Sequence, residues 1–479
     1  MSDRASTGFL DSVFDRTIGR IGTLRHVWRD IAASARGALS SAPRPDLSGD
    51  DVDRVRTQLR ECLEGKGGEV SARARAAALG RTYLALNEAG RERFLRVLAT
   101  EFDIDRAAVH ESWERLRRAK SEDEQRQLER ALHRSLEAPR IKLLTQFNAL
   151  PEGVKFLVDM RAELMTLAKG DAALASLEFD LKDLLSGWFD IGFLEVRRIT
   201  WDSPASLLEK LTGYEAVHAI RSWKDLKNRL EADRRCFAYF HPRMPDEPLI
   251  FVEVALTQGM SDNVQILLDE KAPLEDPAEA DTAIFYSISN CQRGLTGISF
   301  GDFLIKRVVD QLAAELPHLT TYATLSPIPG FRPWLEKRLA EQADMLLTPV
   351  ERKALETLPG DGAPKSLQRL LAKNSWLRDD AQSQAARGPL MRLAARYLLN
   401  EKTPAGRALD PVAHFHLSNG ARVERIDWRA DLSPKGLQQS CGMMINYLYR
   451  LDAIEANHEA YSGEGRVAAS SNLQKLAKG

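Results

Sequence analysis

Apolar residues recur every three to four positions through most of the first 190 residues. That period predicts helices over 51–64, 70–86, 88–100, 105–119, 121–138, 151–168 and 172–188, separated by Gly, Pro and the step Asn148-Ala149-Leu150-Pro151. Ser121-Glu122-Asp123-Glu124 opens one of them as a capping box, in which the Ser oxygen accepts an orphan amide and the Glu reaches back. Upstream, Phe9, Leu10, Val13, Phe14, Ile18, Ile21, Leu24 and Trp28 gather on one helical face, with Arg16, Arg20 and Arg25 elsewhere. A helix of that kind more often covers protein than lipid, and Asp11, Asp15 and Asp30 argue against a transit peptide. Residues 40–47, with two prolines, read as a linker.

Near Trp188 the pattern changes. Branched and aromatic runs predict strands over 193–201, 236–241, 248–257, 283–289 and 321–325, and a hairpin of 413–418 with 421–426 around Asn419-Gly420. Helices are expected among them over 205–212, 215–231, 301–316, 332–342, 349–358, 364–373 and 387–399. The fold class is therefore α+β, an all-helical bundle followed by a mixed α/β domain. The expected boundaries are 1–47 for the first helix and linker, 48–189 for the bundle and 190–479 for the catalytic domain.

Composition narrows the function. The 67 Lys and Arg nearly cancel the 68 Asp and Glu, so the chain of 479 residues has no overall basic footprint for nucleic acid. Any anion must be held locally. Cys62, Cys236, Cys291 and Cys441 form no C-x-x-C pair, which argues against a zinc ribbon and a disulfide framework and fits a reducing cytoplasm. No apolar run reaches the roughly 18 to 20 residues that span a bilayer.

The richest stretch is 283–331. A strand leads into a loop with Gly294, Gly297 and Gly301, then a helix, then a second strand that exits through Ser326-Pro327-Ile328-Pro329-Gly330-Phe331. Glycines at such a strand-to-helix turn let backbone amides approach a phosphate. The spacing G-x-x-G-x-x-x-G is neither the Walker nor the dinucleotide pattern, so by itself it is equally a structural turn. Ser326 sits where the strand stops, the place where α/β units bind ligands, although an isolated Ser-Pro is more often a turn. Without a G-x-S-x-G elbow a conventional acyl-enzyme hydrolase is disfavoured. On an expected strand, His414 and His416 share one face; a metal would need ligands that no nearby motif supplies, whereas imidazole suits acid-base work. On an expected helix over 440–449, Asn446 and Tyr449 share a face at i, i+3 and supply polar groups to a pocket. His241-Pro242 and Glu247-Pro248 bracket a turn before the strand at 248.

The segments HPRMPDEPLIFVEVALT (241–257), AIFYSISNCQRGLTGISFGDFLIKRVV (283–309), LSPIPGF (325–331), AHFHLSNGA (413–421) and SCGMMINYLY (440–449) resemble malonyl-CoA decarboxylases. They occur in one order across about 200 residues. The resemblance implies a helical N-terminal domain and a catalytic domain with the acyl-CoA N-acetyltransferase fold. It implies Ser326 and His416 as the catalytic Ser and His, and Tyr449 as an active-site tyrosine. Gly294, Leu295, Thr296, Gly297, Ser299 and Gly301 fall in the loop for the CoA pyrophosphate. Ser299 stands where animal members carry Glu, so no acidic role transfers there. The terminal Lys475-Leu476-Ala477-Lys478-Gly479 lacks the peroxisomal Ser-Lys-Leu.

The activity so implied turns malonyl-CoA into acetyl-CoA and CO2, with no metal, biotin, thiamine, pyridoxal or nucleotide cofactor, because the thioester accepts the electron pair. A homo-oligomer, dimer or tetramer, in the cytoplasm is the expected state. Two readings compete: an acyl-CoA-dependent N-acetyltransferase, which would need an amine, and a CoA-sensing scaffold, which would bind without turnover.

Overall fold

The computed structural model describes Trp28, Ile31 and residues 43–478, apart from 65–67, 299–303, 357, 359–361, 374 and 378. The helix expected over 9–28 lies outside the described residues except for Trp28. The chain forms two compact units, one of residues 1–195, 240–249 and 291–300, the other of 196–239, 250–290 and 301–479.

The first unit is helical. Its helices are Asp51–Glu64, Glu69–Ala85, Glu88–Glu101, Arg106–Arg117, Glu122–Ser135, Pro139–Asn148, Gly153–Leu167 and Ala172–Trp188. Local chemistry sets many of their starts: Asn87, Asp105, Ser121 and Asp171 each accept an amide of the first turn through the side chain. At Ser121 the amide of Glu124 donates to the hydroxyl as expected, but the Glu124 carboxylate caps Lys120 N–H, one residue earlier. Pro139–Asn148, absent from the sequence reading, starts with Pro in its first turn. The core gathers Trp28, Tyr83, Phe94, Phe147 and Phe156, with Trp28 packed edge-on against Phe156 at 4.9 Å and its ring N–H donated to Pro151 O. Trp28 therefore covers protein. A Cβ at Gly80 would lie 2.1 Å from the Trp28 ring, so that helix needs glycine there.

The second unit holds most of a mixed sheet of eight strands. They are β1 (Glu195–Ile199), β2 (Arg234–His241), β3 (Met244–Thr257), β4 (Thr282–Asn290), β5 (Thr321–Thr324), β6 (Ser326–Pro327), β7 (Arg422–Asp427) and β8 (Met444–Leu448), in the order β1-β2-β3-β4-β5-β8-β6 with β7 on β8. From Pro248 to Leu256 β3 is buried without a break, the signature of a strand covered on both faces. β4 and β5 are parallel, joined by the helix Leu304–Glu315, whose Leu304, Ile305, Val308, Val309 and Leu312 form the buried stripe. The expected βαβ unit is present.

Three expectations fail. Residues 411–418 are a helix, Pro411–Ser418, and β7 pairs with β8 instead. Asp410 accepts the amides of Val412 and Ala413, Pro411 occupies the first turn, and Asn419-Gly420 ends the helix, with Gly420 at φ +80°. A Cβ at Gly420 would also lie 2.2 Å from Ile454 O. Residues 444–448 are a strand, not helix: the helix before it stops at Ser440, where Cys441 and Gly442 take positive φ. Between Tyr214 and Trp223 the expected long helix 215–231 is interrupted, leaving Trp223–Asn228.

The last rung between β4 and β5 is Leu325 N–H to Phe285 O, 3.0 Å. Beyond it β4 runs on to Asn290 paired with β3, while the other chain turns aside at Ser326 to pair with Ile445 of β8. The sheet thus forks at Ser326.

Candidate active site

Ser326 is at that fork because proline follows it: Pro327 has no amide for a ladder, so the strand ends after two residues. Thr324 and Ser326, two residues apart on an extended chain, turn to the same side. Ser326 Oγ lies 2.8 Å from Thr324 Oγ1 and 3.0 Å from His416 Nε2. His416 Nδ1 is 2.8 Å from the Tyr449 hydroxyl. Tyr447 lies on the same face of β8 as Tyr449, stacks on the imidazole with centroids 4.5 Å apart, and its backbone N–H donates to Thr324 Oγ1 at 3.1 Å. Thr324, Ser326, His416, Tyr447 and Tyr449 are all buried.

The helix Pro411–Ser418 aims His416. Its cap, Asp410, also accepts Gly330 N–H at 3.2 Å and the Tyr397 hydroxyl, so one carboxylate ties the helix to the SPIPGF exit. At Gly330 a Cβ would sit 2.2 Å from the Tyr397 oxygen, which explains a glycine there. On a helix, positions i and i+2 diverge by about 200°. His414 accordingly points away from His416 and bonds Tyr461 OH at 2.8 Å. The expectation that the two histidines share a face is overturned.

Asn446 is likewise separated from Tyr449. In a strand, 446 and 449 face opposite sides, and Asn446 lies between Met444 and Leu448, which pack into the core of the other face. Its amide donates to Thr324 O at 2.7 Å and Ser261 O at 3.0 Å, bracing β5 just before Ser326. Its Oδ1 is buried without a partner among the described residues.

Burial dominates the electrostatics. With no charged partner, the His416 imidazole is held neutral, its pKa pulled down to about 3. Burial also raises the Tyr449 phenol well above its ordinary value, so it keeps its proton. Thr324, Ser326, His416 and Tyr449 then form one line of exchangeable protons. Ser326 donates to Thr324 Oγ1, and the order consistent with that has Tyr449 donating to Nδ1 and Nε2–H to Ser326.

A stability prediction follows. Between about pH 3 and 6.5 the unfolded chain binds a proton at His416 that the folded chain refuses, so this group's contribution is complete above pH 6.5 and is lost as the pH falls toward 3. The slope reaches about 1.4 kcal/mol per pH unit. Urea unfolding at pH 7 and pH 5 checks it: the parent chain is expected to lose more stability on acidification than His416→Asn. Equal losses would mean that the imidazole is not buried neutral.

The glycine loop belongs to the first unit. Arg293–Leu295 is a 3₁₀ turn; Gly294, Leu295, Thr296 and Gly297 are described, whereas Ser299 and Gly301 lie outside the described residues. Gly294 is pressed on the helix Gly153–Leu167, where a Cβ would meet Val158 O at 1.8 Å. His241 ends the β2 side of a tight turn, with Nε2 at 3.0 Å from Trp188 O, and Glu247 is fully buried. All four cysteines are buried free thiols. Among the described residues no group of three His, Cys, Asp or Glu side chains is placed to hold a metal, and no helix is long and apolar enough to cross a membrane.

Thr324 and Tyr447 escaped the sequence reading. Thr324-x-Ser326 in a strand was a legible signal, whereas Tyr447 required knowing that 444–448 is extended.

The sequence matches the family described as malonyl-CoA decarboxylase C-terminal domain over residues 192–479, and the corresponding N-terminal domain over 102–189. It is 40% identical to the mitochondrial malonyl-CoA decarboxylase of Anser anser anser, covering 94% of this chain and 93% of that protein. The Rattus norvegicus counterpart is 37% identical, covering 92% and 89%. Crystal structures of malonyl-CoA decarboxylases from Rhodopseudomonas palustris and Agrobacterium vitis are similar at TM-score 0.80, with 41% and 42% identity, each covering 88% of this chain and 99% of the other.

Proposed function

Because the chain belongs to the malonyl-CoA decarboxylase family and is a carboxy-lyase, we propose that it converts malonyl-CoA to acetyl-CoA and CO2 at the Ser326–His416–Tyr449 line, through a thioester enolate and without a cofactor. The carrying observation is the 3.0 Å contact between Ser326 Oγ and His416 Nε2, buried groups 90 residues apart in sequence.

The chemistry needs few parts. When the carboxylate leaves as CO2, its bonding electrons pass into the carbon and on to the thioester oxygen, so the substrate is its own electron sink. The protein must hold CoA, stabilise the enolate oxygen and return one proton to carbon. Holding CoA is assigned to the glycine loop, 294–301. The enolate is assigned to hydroxyl and amide donors at the fork, with Tyr449 among them and Asn446 fixing the strand that carries Ser326.

His416 is assigned the proton. At pK about 3 it is uncharged in the free protein, yet a malonyl carboxylate arriving within hydrogen-bond reach offsets the burial that keeps it neutral. The imidazole then takes up a proton with the substrate, passes it to the carbanion once CO2 has gone, and returns to its neutral resting form. Ser326 orients the carboxylate and the imidazole. Atoms balance: malonyl-CoA plus one proton gives acetyl-CoA plus CO2. A dry site helps, since the reacting carboxylate loses its charge.

Two measurements test this. Purified protein given malonyl-CoA alone should release CO2 and form acetyl-CoA; a requirement for an amine would point to acetyl transfer instead. An analogue with a sulfonate in place of the carboxylate should bind with uptake of close to one proton per site near pH 7.5, seen by calorimetry in buffers of different ionisation enthalpy. Binding without proton uptake would remove His416 as the acid.

The domain roles, helical residues 48–189 for self-association into a dimer or tetramer and 190–479 for catalysis, belong to the same reading. Four buried free thiols support a reducing compartment, and we assign the cytoplasm, although curated relatives carry mitochondrial in their names.

A further inference from the structure

Leu295–Ile298 is a type II turn: Ile298 N–H donates to Leu295 O at 3.0 Å, Thr296 has φ −56° and ψ 130°, and Gly297 has φ +74°. Glycine belongs at the third position of such a turn because φ is positive there. The central peptide, Thr296 O with Gly297 N–H, is the one that flips between type I and type II turns, so whatever holds its carbonyl decides where its amide points.

Arg161 holds it. This arginine, only 2% exposed, lies one helical turn after Val158, on the face against which Gly294 is pressed. Its Nη2 donates to Thr296 O at 3.0 Å and its Nη1 to Gly294 O at 2.6 Å. Nε and Nη2 both donate to Glu178 Oε1, at 3.0 and 2.7 Å, and that carboxylate balances the buried charge. Carbonyl and amide of a trans peptide point in opposite directions, so Gly297 N–H is directed away from the guanidinium. The neighbouring amides of Leu295, Thr296 and Ile298 are bonded within the loop, whereas Gly297 N–H has no partner among the described residues. Lys182 Nζ lies 3.7 Å from where a Gly297 Cβ would be, so an ammonium flanks the same turn.

We propose that Arg161 is a positioning residue for the acyl-CoA: by locking the Thr296–Gly297 peptide it presents the Gly297 amide, beside the Lys182 ammonium, to an oxygen of the CoA pyrophosphate. The proposal rests on the reading above that this loop holds CoA. It gives Arg161 no part in bond breaking; its effect falls on the phosphate-bearing half of the substrate. A buried arginine that served packing alone would affect every substrate alike.

Malonyl-CoA and malonyl-pantetheine, which lacks the pyrophosphate, separate these roles. The parent enzyme should prefer malonyl-CoA in kcat/KM. If it shows no preference, the loop's role in CoA binding fails, and the proposal with it. With that preference in place, Arg161→Met is expected to reduce it about tenfold or more, chiefly through KM, the scale of one hydrogen bond to a charged group. Arg161→Lys, which can still reach one carbonyl, should recover part of it. Should Arg161→Met fail to fold, Glu178→Gln leaves the guanidinium in place without its fixed charge, and the same ratio should fall by less. Equal losses on both substrates, or an unaltered ratio in every folded variant, would overturn the role of Arg161.

Discussion

Replacing His416 by Asn is expected to lower kcat by about 10² to 10⁴-fold, the usual effect of removing a well-placed acid-base group, while CoA affinity stays close to the parent value. Asn keeps a polar atom near the imidazole's position and can still bond Ser326 or Tyr449, but it cannot carry a proton between substrate atoms. The loss should therefore appear in turnover. Initial rates of CO2 release together with calorimetric CoA binding decide it. Exchange of the acetyl-CoA methyl protons with deuterated water, which reports the carbon-protonation step without decarboxylation, should fall in parallel. A variant that exchanges and turns over at near-parent rates would take His416 out of the mechanism.

Ser326→Ala should lower kcat on a similar scale, for a different reason. Its hydroxyl links Thr324 Oγ1 and His416 Nε2 at 2.8 and 3.0 Å, so truncation frees the imidazole to turn and removes a donor beside the reacting carboxylate. It also leaves Nε2 buried without its partner, which costs about 1 to 3 kcal/mol of stability. Residues that act as one unit are not additive, so the double variant Ser326→Ala with His416→Asn should be about as slow as the slower single variant. Rates that multiply would show that the two side chains act independently, and the single reacting line proposed here would be wrong.

Several features of this chain were legible because they depend on neighbours in sequence. Apart from Pro139–Asn148, the helices from Asp51 to Trp188 announce themselves by spacing and by capping residues such as Asn87, Ser121 and Asp171. The βαβ unit is visible in the apolar stripe of Leu304–Glu315 between two branched runs. The failures are informative. Asn419-Gly420 reads as a hairpin turn, yet a glycine at positive φ ends a helix equally well, and the discriminating signal lay upstream in Asp410-Pro411, an N-cap followed by a first-turn proline. The run Met443 to Leu448, apolar except for Asn446, has no periodicity that separates strand from helix; its pairing with β7 and β6 separates them.

What the sequence alone determined is local: a helical first half, a mixed second half, glycines at 294 and 297 and the proline-bounded exit after Ser326. A family resemblance carried by short segments added Ser326, His416 and Tyr449 as the residues to watch. Only the tertiary structure decided that Ser326 and His416 touch across 90 residues, that His414 and Asn446 face elsewhere, and that Arg161 reaches the carbonyls of the glycine loop. The physical reason is range. Dihedral preferences and caps act over a few residues, whereas a contact between distant strands, and the burial that holds an imidazole neutral, exist only once the whole core has closed around them.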